Sequence, residues 1–150
     1  KCGRIVKDYS VRPGLDLAEL FTRVVFSFVI GNSDMHLKNF SLMETEPGSR
    51  EFALSAAYDM LPVNIILPED TEEMALTLNG KKKRLKKQDF MALADKCEIT
   101  ENAAEKMISK MCSLKDRFMV ACEESYLPEV YIEQTKLLIS ERIKILNKTE

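Results

Sequence analysis

Five side chains able to handle protons, phosphate or a divalent cation stand close together in this sequence. Asp34, His36, Lys38 and Asn39 fall in one stretch, Ile30-Gly31-Asn32-Ser33-Asp34-Met35-His36-Leu37-Lys38-Asn39-Phe40, and Asp59 follows Asn39 by 20 residues. An Asp can orient a hydroxyl and accept its proton, while an Asn and a second Asp can hold Mg²⁺ against phosphate oxygens, so the set suits phosphoryl transfer. Catalytic loops for that chemistry space the first pair as D-x-x-x-x-N, the interval from Asp34 to Asn39. Mg²⁺ takes hard oxygen ligands and few of them from protein, so one carboxylate and one amide oxygen suffice when phosphates and water complete the shell. His36 stands where an imidazole can brace the Asp34 carboxylate or meet phosphate, and Lys38 where an ammonium can offset transition-state charge. Taken singly, each residue reads equally as a loop hydrogen-bonder or a solvated surface group, because Asp and Asn also cap and turn the backbone. The combination and its spacing carry the argument.

Such groups need elements to position them. Apolar Leu17, Leu20, Phe21, Val24, Val25 and Phe28 recur at helical spacing, which predicts a helix from Leu17 to Ile30, capped by Asp16 and ended by Gly31-Asn32. Residues Lys1 to Pro13 show no clean period and read as a connector. The polar stretch from Asn32 to Asn39 is a loop between hydrophobic segments. Phe40 to Met43 and Glu51 to Leu54, joined by Glu46-Pro47-Gly48-Ser49, predict a hairpin that carries the chain out and returns it to Asp59. If so, the side-chain oxygens of Asn39 and Asp59 should approach to about 3 to 6 Å. Met74 to Lys83, centred on Asn79-Gly80, predicts a second hairpin with a type I′ turn. Helical periodicity then runs through Phe90 to Cys97, Ala104 to Leu114 and Ile132 to Leu146, punctuated at Thr100-Glu101-Asn102-Ala103 and Leu127-Pro128.

The composition bounds what such a scaffold can be. A chain of 150 residues with 45% hydrophobic and 31% charged residues builds one folded domain and is too short for a complete two-lobed nucleotide-dependent enzyme. A net charge of -2 argues against a surface that tracks nucleic acid or anionic membrane throughout. Lys81-Lys82-Lys83-Arg84-Leu85-Lys86-Lys87 is basic and reads either as a solvated face or as a surface for an acidic partner or a nucleic-acid backbone. The longest apolar stretch, Val24 to Ile30 interrupted by Ser27, is far below the ~20 residues of a membrane span, and no signal-peptide pattern opens the chain, so a cytoplasmic protein is expected. Cys2, Cys97, Cys112 and Cys122 form no C-x-x-C pair and read as reduced structural thiols.

The string Gly31-Asn32-Ser33-Asp34-Met35-His36-Leu37-Lys38-Asn39-Phe40-Ser41-Leu42, with Ala57-Tyr58-Asp59-Met60-Leu61-Pro62 after it, resembles the catalytic segment of HipA-type serine/threonine kinases, the toxin halves of bacterial toxin-antitoxin pairs. The likeness continues through Leu76-Thr77-Leu78-Asn79-Gly80-Lys81 and the helical tail, covering most of the chain. It implies an α+β, mainly α fold: a protein-kinase-like C-terminal lobe, a helical bundle with two short β-hairpins carrying the catalytic and metal-binding loops, across residues 1–150. It also implies that Asp34 is the catalytic Asp, with His36 and Lys38 beside it, that Asn39 and Asp59 bind Mg²⁺, and that ATP is the phosphate donor. The implied partners are a protein substrate and a HipB-like DNA-binding antitoxin, with DNA met only through the antitoxin and no membrane. Nothing here resembles that family's N-terminal lobe, its phosphate-binding loop or its ATP-contacting lysine, so the fragment alone is expected to be inactive. Two alternatives stay open. One is a non-catalytic HipA-like module that binds an antitoxin or other partner. The other is a small-molecule kinase, since lipid kinases and aminoglycoside phosphotransferases carry similar loops.

Overall fold

The computed structural model describes residues 1–148. In chain order the elements are α1 (Cys2–Tyr9), α2 (Pro13–Ile30), a 3-10 turn (Leu37–Asn39), β1 (Leu42–Glu44), β2 (Phe52–Leu54), α3 (Val63–Ile66), α4 (Lys87–Lys96), α5 (Glu101–Ser113), α6 (Lys115–Glu123) and α7 (Glu129–Asn147). The fold is mainly helical with one two-stranded antiparallel sheet. None of the described helices is long and apolar enough to cross a membrane.

Helix α2 is apolar on most of its circumference and is the element around which the others pack, as expected of a helix without one continuous polar face. One side puts Phe21, Val25 and Phe28 into a core with Phe90, Ile108, Ile139 and Leu146. The rings of Phe28 and Phe90 lie 4.9 Å apart at a tilt of 56°, and the Arg142 guanidinium sits 4.4 Å above Phe28. The other side puts Leu17 and Leu20 against Val6, Leu54 and Cys97. The buried Cys97, Cys112 and Cys122 lie among these packed side chains, and burial pushes their thiols above the usual range.

The start of α2 differs from the sequence expectation and its end agrees with it. The helix begins at Pro13, and the segment read as a connector forms α1, whose Val6 docks on Leu17 and Leu20. Asp16 is not its cap. Its buried carboxylate accepts from Ser10 Oγ at 2.7 Å, Arg12 Nε at 3.1 Å and Leu54 N–H at 2.6 Å, tying the α1–α2 junction to β2. The C-terminus stops as predicted at Gly31, with φ 76° and the Asn32 N–H returning 2.8 Å to the Ser27 carbonyl. A Cβ at Gly31 would stand 2.3 Å from Leu138 Cδ2, so the Leu138 side chain of α7 would have to move to admit one, and the left-handed φ strains any side chain there.

The first hairpin is present with short strands, paired Leu42 to Leu54, Met43 to Ala53 and Glu44 to Phe52. The second is reduced to a turn, a correction to the two hairpins expected. Asn79 and Gly80 have the left-handed φ values of a type I′ turn, 48° and 79°, but the arms form a single bridge, Leu78–Lys81, and one further backbone bond, Glu73 N–H to the Lys82 carbonyl at 2.8 Å. Buried Asp89 of α4 takes Asn79 Nδ2 and Lys81 Nζ, both at 2.9 Å, and Lys86 N–H at 2.9 Å. These bonds curl the returning chain onto α4 before a strand can extend, and Arg84 turns at φ 55°. The basic run is largely consumed by internal pairing. Lys82 meets Glu72 at 2.9 Å, Lys87 meets Glu105 at 2.7 Å and Lys83 binds Thr71.

Candidate active site

The loop after Gly31 is held from below by buried side chains. Asn32, Ser33, Met35 and Asn39 are buried while Asp34, Leu37 and Lys38 face solvent, so the backbone is anchored at alternate points and presents Asp34 outward. Ser33 Oγ donates to Asp70 Oδ2 at 2.7 Å, and this bond, followed by the Glu72 N–H and the nearby Lys83 and Lys82, holds the Asp70 carboxyl below the usual range. Asn64 of α3 closes the underside, its N–H reaching the Gly31 carbonyl at 3.0 Å and its Nδ2 the Asp70 and Glu72 carbonyls at 3.2 and 2.9 Å.

The hairpin delivers Asp59 to this loop. Asn39, 3% exposed, donates Nδ2 to Asp59 Oδ2 at 2.5 Å, and its Oδ1 accepts the His36 N–H at 3.3 Å. The atom nearest the carboxylate is thus the amide nitrogen, and the oxygen is turned toward the His36 backbone. Asp59 has φ 57°, a conformation that costs a non-glycine residue about 1–2 kcal/mol and must be held by its surroundings. Asn32 Nδ2 holds its carbonyl at 3.1 Å, and the neighbouring Tyr58 hydroxyl donates to the Lys38 carbonyl at 2.6 Å and meets Ser41 Oγ at 2.7 Å. Arg23 of α2 supports the approach from behind, giving NH2 to the Ser55 carbonyl at 2.5 Å.

Asp34 is 64% exposed at its side chain, and His36 Nε2 lies 3.9 Å from its Oδ1. His36 therefore sits beside Asp34 at longer than hydrogen-bond range. Lys38 contributes its carbonyl to the Tyr58 contact and has an exposed side chain. The structure joins Asn39 to Asp59 directly, and places Asp34 and Lys38 on the same loop as solvent-facing groups.

The HipA-like C-terminal domain family matches residues 1–118. The chain belongs to that family. "Putative kinase Y4dM" of Sinorhizobium fredii is 45% identical over 87 residues, covering 57% of this chain and 21% of that protein. A "Putative kinase" of Haemophilus influenzae is 23% identical over 145 residues, covering 86% of this chain and 42% of that protein. The structure of the Shewanella oneidensis HipA, HipB and operator DNA complex holds a chain that superposes with TM-score 0.74 at 16% identity, covering 99% of this chain and 38% of that one. That likeness establishes the fold. The chain spans between a fifth and two fifths of the length of these relatives.

The donor set of this HipA-like domain fits a hard cation that completes its shell elsewhere. Among the described residues no three His, Cys, Asp or Glu side chains cluster to form a metal cage, and the oxygens that could serve are the Asp59 carboxylate and, once the amide turns from the His36 N–H, Asn39 Oδ1. A site of two protein oxygens suits Mg²⁺ with phosphates and water, and does not suit zinc. The residues that sequence reasoning missed are the supports. Asn32 had read only as a helix-end residue, and no local signal shows that its amide crosses to a residue 27 positions later.

Proposed function

We propose that this domain is the C-terminal catalytic lobe of a HipA-like serine/threonine protein kinase, completed by an N-terminal lobe that grips ATP. Asp34 is the base: exposed on an anchored loop, it orients a substrate hydroxyl and takes its proton as the oxygen attacks the γ-phosphorus, the bond from that phosphorus to the β,γ-bridging oxygen breaks and ADP leaves with that oxygen. Asp59 would hold Mg²⁺ through its carboxylate and Asn39 through its Oδ1, which has to leave the His36 N–H to do so; the cation would neutralise charge on the phosphates. His36 limits where the Asp34 carboxylate can turn, and Lys38 supplies positive charge at the rim. The observation that carries this reading is the 2.5 Å contact between Asn39 and Asp59, made by residues 20 apart in sequence. A left-handed Asp59 held at its carboxylate by Asn39 and at its carbonyl by Asn32 is a costly arrangement with no evident role in packing, because its side chain is at the surface.

The HipA of Shewanella oneidensis occurs in a complex with HipB and operator DNA. By the same family reasoning, a cytoplasmic protein carrying this domain pairs with a HipB-like antitoxin and meets DNA through it. The test is transfer of labelled γ-phosphate from ATP by a full-length protein carrying this chain. Asp34→Asn should abolish transfer, and transfer that survives this substitution at wild-type rate would refute the assignment.

A further inference from the structure

We propose that Tyr58 is a positioning residue for the Asp59 carboxylate, acting through an ordered hydroxyl relay from Ser41 through Tyr58 to the Lys38 carbonyl. The inference rests on the phosphotransfer reading of the site and extends it to a residue with no assigned role.

The direction of the relay follows from counting protons. Tyr58 has one hydroxyl proton, and the Lys38 carbonyl 2.6 Å away can only accept, so that proton is committed there. The 2.7 Å contact with Ser41 Oγ must then be filled by the Ser41 proton. Tyr58 and Asp59 are consecutive, as are Lys38 and Asn39. Two adjacent residues of one segment therefore grip two adjacent residues of the other, Tyr58 on Lys38 and Asp59 on Asn39. A single hydrogen bond leaves a pivot, whereas two at neighbouring positions fix separation and rotation together.

The two ties have different fates when the site is used. The Asn39 contact occupies the Asp59 oxygen that a cation would compete for, so it is the tie that loosens on loading. The Tyr58 tie uses no metal-facing atom and persists. It then resists the drift of Asp59 out of its left-handed conformation, alongside Asn32 on the carbonyl side. Tyr58 itself is 39% exposed, and the Lys38 carbonyl and Ser41 hydroxyl can rehydrate without it, so its hydroxyl contributes little to the fold.

The experiment uses Tyr58→Phe, which keeps the ring and removes the relay, in a full-length protein carrying this chain. At saturating ATP the apparent constant for Mg²⁺ should rise about 3- to 10-fold, the effect of losing one hydrogen bond, with kcat reduced and the melting temperature within about 2 °C of wild type. Ser41→Ala should have a smaller effect, and Tyr58→Phe with Ser41→Ala together should be no worse than Tyr58→Phe alone. An unchanged Mg²⁺ dependence in an active protein, effects of the two substitutions that simply add, or a Tyr58→Phe protein that no longer folds would each overturn the inference and leave the kinase reading standing. A wild-type protein that neither transfers phosphate nor binds Mn²⁺ at Asp59 would overturn both.

Discussion

Asp34 and Asp59 are both exposed carboxylates, but their surroundings differ. Asp34 has His36 beside it at 3.9 Å, beyond hydrogen-bond range, whereas Asp59 is fixed by Asn39 at its side chain and by Asn32 at its carbonyl. In a full-length protein carrying this chain, Asp34→Asn should therefore abolish phosphoryl transfer with nucleotide affinity nearly intact, and Asp59→Asn should weaken Mg²⁺-dependent nucleotide binding. Calorimetric titration of both variants checks the split, and equal loss of nucleotide binding in the two would contradict the separate roles. At this scale the residues proposed to bear chemistry come from a pattern of types, D-x-x-x-x-N and a later Asp, and the meeting of Asn39 with Asp59 is what the structure adds. The residues that hold them were not legible in the sequence. The links from Asn32 to the Asp59 backbone and from Tyr58 to the Lys38 carbonyl span 27 and 20 residues, and although the hairpin predicts the reversal, which side chains meet across it has no local pattern.

The site is assembled by the two ends of α2 and the hairpin between them. Gly31 permits the sharp exit into the loop, and Asp16 fastens β2 to the start of the helix. Gly31→Ala should destabilise the domain by at least ~1–3 kcal/mol, combining a left-handed φ with a clash against Leu138. Asp16→Ala should cost ~1–3 kcal/mol by leaving the Leu54 N–H without a partner in a buried position. Thermal unfolding measures both, and wild-type stability in either variant would show that the contact is dispensable. Helical periodicity made α2, α4, α5 and α7 legible, since each buries one repeating set of side chains. Helix α1 places apolar Cys2, Ile5, Val6 and Tyr9 at helical spacing, and it was missed because its eight residues hold only one such set, close to the breaker at Arg12-Pro13-Gly14. The second hairpin was over-read because Asn79-Gly80 specifies a turn and says nothing about whether strands continue, a matter decided here by Asp89.

Over the whole molecule, two carboxylates link stability to pH. At Asp89 burial raises the pKa, but Lys81, Asn79 and the Lys86 N–H together outweigh it and leave the carboxyl below its usual range; Asp70 is lowered chiefly by Ser33. A depressed folded-state pKa stabilises above the unfolded value, near 4, and that contribution is lost as pH falls through the folded pKa. Denaturant midpoints should hence be flat from neutral pH down to about 5 and drop below about pH 4, with a shallower drop in Asp89→Asn. A midpoint independent of pH down to 2 would contradict this.

The central claim is that Asn39 and Asp59 form a divalent-cation site beside Asp34. Mn²⁺ is a paramagnetic stand-in for Mg²⁺, and its position can be read from the broadening of amide resonances when the 150-residue chain is titrated with Mn²⁺ and ATP. Binding should be weak, since positioning of the phosphates is shared with groups outside this lobe. Broadening should centre on residues 34–39 and 58–60 and vanish in Asp59→Asn. Broadening centred elsewhere, or unchanged in Asp59→Asn, would contradict the assignment.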